Sequence, residues 1–158
     1  VGSEMCIRDR RRVPVLRLPR GLLRAPARDP DGARATSELI AQWANDVARA
    51  LSCHPRVVIA IDRPLCPEPG MPQVLGEYLG EAVERVLGQS SVDRLLAEGG
   101  ATAVALVRRM GVSRMRVHRE WATGVVSLEV MDQDAPVLSM KPGSYAWPEA
   151  ILGASGIG

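Results

Sequence analysis

The sequence predicts an α/β fold: a mostly parallel sheet with helices on both faces, Rossmann-like in plan, followed by a C-terminal β-hairpin. Three observations carry that prediction. Apolar runs rich in β-branched residues alternate with segments of helical periodicity, which in a chain of right-handed crossovers builds a parallel sheet. The run Val57-Val58-Ile59-Ala60-Ile61 has no polar alternation, as a central strand covered on both faces requires. Phenylalanine is absent and aromatic residues make up only 3% of the chain, so the core must be built from leucine, valine, isoleucine and alanine. With 158 residues, 46% of them hydrophobic, there is chain enough for one domain with its own core.

The elements follow in order. Residues 1–10, VGSEMCIRDR, share no pattern with the rest and read as an adaptor-derived leader, so fold reasoning starts at Arg11 and covers 11–158. The natural chain is expected to extend further upstream. Val13-Pro14-Val15-Leu16 is a short strand, and Pro14 places it at a sheet edge or a strand start. Residues 20–32 read as loop. A helix is expected from Thr36 or Ser37, either a suitable N-cap, with Leu39, Ile40, Trp43, Val47, Ala48 and Leu51 on its apolar face. Trp43 is a core residue on this reading. The run at 57–61 supplies the central strand, and the proline-rich stretch 64–72 connects it to a helix over 73–87 that buries Leu75, Leu79, Ala82, Val83 and Val86, with Tyr78 flanking.

Val92, Leu95, Leu96 and Ala97 make the next strand, and Ala103, Leu106, Val107 and Met110 recur at helical spacing after it. Between them stands Glu98-Gly99-Gly100-Ala101-Thr102, a strand feeding a helix through two glycines. Residues without Cβ let the backbone approach a ligand, and the free N–H groups and positive end of a new helix favour an anion. Gly99, Gly100, Ala101 and Thr102 are therefore candidate phosphate contacts, the alternative being a plain strand-to-helix turn. Residues 115–117 form another short strand. The runs 125–131 and 137–140, separated by only five residues, form the hairpin.

Lys141-Pro142-Gly143-Ser144 closes that hairpin. Nineteen of the twenty basic residues are arginine, and Lys141 is the single lysine. A compact ammonium beside glycine at a strand end suits a phosphate, although strand-end lysines also serve as solvated termini. In open sheets ligands lie outside the carboxyl ends of strands, and Asp62, the glycine turn and residues 141–144 converge there. Asp62 is a candidate for magnesium or a ribose hydroxyl, or else a turn residue.

Composition excludes several classes. The formal charge of +2 combines a basic opening, nine arginines against four acids over residues 1–34, with a mildly acidic remainder. Prolines interrupt that opening and no aromatic residue is interleaved for base stacking, which argues against nucleic acid. Cys6, Cys53 and Cys66 lack metal-ligand spacing and His54 and His118 stand far apart, so no metal site is expected from them. No apolar run approaches the length of a membrane helix and no signal-peptide pattern opens the chain, which fits a reducing cytoplasm. The three-glycine fingerprint of an NAD-dependent oxidoreductase is missing.

Three segments taken in order, LLAEGGATAVALVRRMGV, HREWATGVVSLEV and VLSMKPGSYAWPEAI, resemble the C-terminal nucleotide-binding domain of the four-carbon acid sugar kinases. The resemblance spans roughly 34–152 and is strongest from Leu95 onward. It implies ATP and Mg²⁺ as cofactors and phosphoryl transfer to a terminal hydroxyl of a four-carbon sugar acid, of threonate, erythronate or 3-oxo-tetronate type. It also implies that the sugar acid is held by a separate N-terminal domain missing from this chain, which would leave the chain alone inactive, and it leaves room for a homodimer. Residue by residue, the family's glycine turn falls on Gly99, Gly100, Ala101 and Thr102, and its second wall on Lys141, Gly143 and Ser144. No catalytic residue is carried over; Glu120 and Gly124 match a family turn, but the favoured reading of that segment is an ordinary strand-connecting loop. Ala101 stands where many members carry an acid, and Tyr145-Ala146-Trp147 replaces the commoner ending. Trp147 either stacks on adenine or, as its buried area favours, closes the core. The competing reading is a non-enzymatic α/β module that binds an anionic metabolite or a partner.

Overall fold

The computed structural model describes residues 13–23, 30–61 and 70–154, which fall into two compact units, Val1–Ser90 and Ser91–Gly158. Cys6, Asp62 and Cys66 lie outside the described residues.

In the first unit, β1 (Val15–Arg17) leads through a single 3-10 turn (Arg20–Leu23), and after it come α1 (Pro30–Cys53), β2 (Val58–Ala60) and α2 (Met71–Leu87). β1 and β2 pair in parallel, Val15 opposite Val58 and Arg17 opposite Ala60. The expectation of a long central strand at 57–61 is corrected: among the described residues β2 has three residues and one partner. The reason lies in β1, which is bounded by Pro14 and Pro19. Neither has an N–H to extend the ladder, and Pro14 contributes only its carbonyl, accepting from the Val58 N–H at 2.9 Å.

α1 begins six residues before the expected cap. Pro30 opens it, its fixed φ suited to a first turn, with Asp31 beside the positive end. Thr36 is thus inside the helix, its hydroxyl donating to the Gly32 carbonyl at 2.9 Å. Ser37 accepts from Arg85 of α2, which also holds Glu81 at 2.8 Å. Ile40, Trp43, Ala44 and Val47 are buried at helical spacing, while Leu39 is exposed. α2 packs against α1 and buries Leu75, Leu79, Ala82, Val83 and Val86 as expected, and Tyr78 besides.

The second unit contains β3 (Arg94–Glu98), α3 (Gly100–Arg109), β4 (Met115–Ala122), β5 (Val125–Val130), β6 (Val137–Lys141) and α4 (Glu149–Ala154). Its sheet has the order β3-β6-β5-β4. β3 and β6 are parallel, the other two pairings antiparallel, so the α/β class holds with a mixed sheet. The expected hairpin is β5–β6. A second one, β4–β5, turns on Thr123-Gly124, where Gly124 has φ 76° and Ala122 pairs with Val125. A two-residue turn with a glycine at positive φ is a favoured hairpin connection. β4 is accordingly much longer than the stretch 115–117.

Alternation assigns the faces. The row Leu95, Leu138, Leu128 and Val117 is apolar, and the next, Leu96, Ser139, Ser127 and Arg119, belongs to the opposite face. On that polar face Ser127 and Ser139 are completely buried, share a hydrogen bond of 2.7 Å, and Ser127 accepts from the Trp121 indole at 2.7 Å. α3 packs against β3 and β6, burying Ala103 and Leu106.

Two carboxylates on this unit, Glu129 and Asp132, couple stability to pH. The hydrogen bond from Arg116 holds the Glu129 carboxyl below its ordinary 4.5, and those from Arg114 and Ser113 hold Asp132 below 3.8. A carboxylate depressed in the folded state favours folding above its unfolded value, and loses that contribution as pH falls through the folded one. Resistance to urea is therefore expected to fall from about pH 4.5 downward, and Arg116→Gln to flatten that dependence.

Candidate functional site

The two segments singled out in sequence are neighbours at one end of the second unit's sheet. Because β3 and β6 run parallel and in register, Glu98 stands opposite Lys141, and the Gly99 N–H donates to the Lys141 carbonyl at 2.9 Å. The turns that leave both strands consequently share the carboxyl edge.

Gly99 takes the chain from strand to helix in one residue, at φ 91° and ψ 139°, a conformation open in practice to glycine alone. Its carbonyl accepts from the Ala103 N–H at 3.1 Å, closing the first turn of α3, and no side chain caps the helix. The N–H groups of Gly100, Ala101 and Thr102 therefore belong to the orphan donors of a helix start. A Cβ built on Gly100 meets nothing within 4 Å; Gly100 and Ala101 are exposed, Thr102 half-buried. This is the geometry expected of a backbone anion cradle.

Beyond β6, the Tyr145 N–H donates to the Pro142 carbonyl at 3.1 Å and closes a turn with exposed Gly143 and Ser144 at its tip. A Cβ on Gly143 would again meet nothing within 4 Å. The Thr123-Gly124 turn lies against the same segment: a Cβ on Gly124 would come within 3.4 Å of Tyr145 and 3.6 Å of Pro142. Glu120, by contrast, is an exposed residue of β4.

Lys141 is placed differently from its neighbours. Its side chain is 0% exposed, its Nζ is 3.0 Å from Glu98 Oε1, and the ammonium lies 5.5 Å from the centre of the Trp147 ring. Trp147 is buried, so it closes the core over Lys141. A buried charge needs such a pairing. The sequence marked Lys141 as unusual; what it did not mark was Glu98 as its partner, although the strand-end positions of both residues carried that signal.

Among the described residues no group of three or more histidine, cysteine, aspartate or glutamate side chains is arranged to hold a metal, and no helix is long and apolar enough to cross a membrane.

The family model of a nucleotide-binding C-terminal domain matches residues 8–145. No curated protein matches in sequence. Solved structures share the fold. A domain of unknown function (DUF1537) from Bordetella bronchiseptica, determined with bound citrate as a domain-swapped dimer, superposes with a TM-score of 0.69 at 17% identity over 97% of this chain and 36% of its own. A Haemophilus influenzae protein of the same DUF1537 family gives 0.68 at 19% identity over 99% and 38%. A Salmonella typhimurium protein, provisionally described as a tRNA synthase, gives 0.66 at 13% identity over 91% and 34%. The chain thus spans little more than a third of each of these proteins. It belongs to the family of nucleotide-binding C-terminal domains, the family to which its resemblance to the four-carbon acid sugar kinases pointed.

Proposed function

We propose that this chain is the ATP-binding portion of a kinase that phosphorylates a four-carbon sugar acid on a terminal hydroxyl. The observation that carries the reading is the open helix start at Gly99, Gly100, Ala101 and Thr102, set in register beside the Gly143-Ser144 turn in a domain of a nucleotide-binding family. The three backbone N–H groups receive the phosphates, the Thr102 hydroxyl adds a donor, and Gly143 and Ser144 form the facing wall. Lys141 serves the site by positioning: its pairing with Glu98 fixes the ends of β3 and β6 from which both turns spring.

Phosphoryl transfer depends on positioning and on neutralising charge, so ATP enters with Mg²⁺, which needs only one or two protein carboxylates beside the phosphate oxygens. The acceptor belongs to the part of the parent that this chain does not span. The Bordetella protein was determined with bound citrate, itself a hydroxy acid. Dimerisation of the parent and a cytoplasmic location belong to the same proposal.

The test is thermal unfolding of the chain with and without Mg·ATP. At about 100 times its dissociation constant the nucleotide stabilises by roughly 2.7 kcal/mol. Gly100→Val, whose Cβ has nothing within 4 Å, is expected to fold and to lose that shift. A folded wild-type chain that ignores ATP would favour the reading as a module for some other anion.

A further inference from the structure

Away from the glycine turn, two arginines converge on one indole. The guanidinium carbon of Arg119 on β4 lies 4.1 Å from the centre of the Trp121 ring, and that of Arg94 on β3 lies 5.7 Å from it. The two positive groups are therefore within about 10 Å of each other. The Trp121 ring they share is held in place by Ser127 and, behind it, Ser139, both fully buried. Arg94 Nη1 is buried and has no hydrogen-bond partner among the described residues. Among the described residues no carboxylate pairs with either arginine: Glu129, on the same face two residues from Ser127, is engaged by Arg116 at 2.6 Å and His118 at 2.7 Å.

A guanidinium near an aromatic ring is attracted to the π face, yet that contact satisfies none of its N–H donors. Two like charges brought together, one with a buried unsatisfied nitrogen, are a costly arrangement unless an anion completes it. We infer that Arg94, Trp121 and Arg119 form a binding site for a small oxyanion, a carboxylate or phosphate group, on the polar face of the four-stranded sheet. The planar forks suit either group, since both accept paired N–H bonds. This site is separate from the proposed nucleotide cradle, because Arg94 begins β3 and Glu98 ends it, some 13 Å away at about 3.3 Å per residue. It does not depend on the kinase reading.

The test is an NMR titration of the full ¹⁵N-labelled chain with inorganic phosphate and, separately, with malonate. The Trp121 indole N–H resonance, identified by its disappearance in Trp121→Phe, should move saturably, and whichever anion binds more tightly identifies the source as phosphate or carboxylate. Arg119 is exposed, so Arg119→Gln should leave the spectrum otherwise intact and weaken binding about tenfold. Sodium chloride should weaken it further. A Trp121 resonance that ignores both anions, or that titrates equally in Arg119→Gln, overturns the site. So does a response to phosphate confined to the Gly99 and Gly100 amides, an outcome that leaves the nucleotide reading standing. Movement of Trp121 with those amides unchanged supports the site whatever ATP does.

Discussion

Glu98→Gln is expected to destabilise the Ser91–Gly158 unit by about 3–5 kcal/mol, lowering its melting temperature by on the order of 15 °C. The substitution keeps shape and volume but removes the charge that faces Lys141 at 3.0 Å, leaving a fully buried ammonium without its counter-ion. The reverse change should be milder. Lys141→Met leaves a carboxylate that is 29% exposed and can draw on water, while the methionine fills the lysine's place with apolar volume, so a loss below about 2 kcal/mol is expected. Circular dichroism melts of both variants and of the double variant measure the asymmetry. Equal losses from the two single changes would mean that Lys141 is solvated in solution and free to meet a ligand directly.

Adjacent glycines should respond with opposite signs. Gly99→Ala must hold an L side chain at φ 91°, which costs about 1–3 kcal/mol even though the nearest atom, Thr102 Oγ1, is 4.0 Å from the added Cβ. Relief of that strain would rotate the first N–H groups of α3, so the response to Mg·ATP should fall with stability. Gly100→Ala sits inside the helix start with open space around it and no positive φ, and should stabilise by roughly 0.5–1 kcal/mol through the entropy of the unfolded chain and helix propensity. Urea denaturation separates the two. A tolerated Gly99→Ala would mean that the strand-to-helix reversal relaxes at little expense and that the cradle is not rigidly set.

The sequence was most legible where local signals agreed. The spacing of Leu75, Leu79, Ala82, Val83 and Val86, the glycine reversal at 99 and the hairpin of residues 125–141 each rest on periodicity or turn chemistry that neighbours enforce. It was least legible where an outcome depended on pairing partners far along the chain. The apolar run at 57–61 has every property of a buried central strand, yet its ladder is capped at three rungs by prolines forty residues away in sequence. The helix start at Pro30 was hidden because Thr36 and Ser37 are good caps in the abstract, whereas Thr36 satisfies its hydroxyl on Gly32 inside the helix. At the candidate site the residue types were visible and the geometry was not: Glu98 and Lys141 are 43 positions apart, and only parallel registration brings them together.

That separation also sets the order in which the site can be assembled. β4, β5 and β6 join through short connections and can zip together as a meander, whereas β3 must find β6 across an intervening helix and two strands. Closing so long a loop costs entropy before any contact compensates it, which makes the β3–β6 register a late event. The glycine turn hangs from that register, through the hydrogen bond from Gly99 to Lys141. An emerging chain therefore displays the proposed nucleotide cradle only after residue 141 has docked, and on that proposal a population arrested with the meander formed would be compact yet blind to ATP.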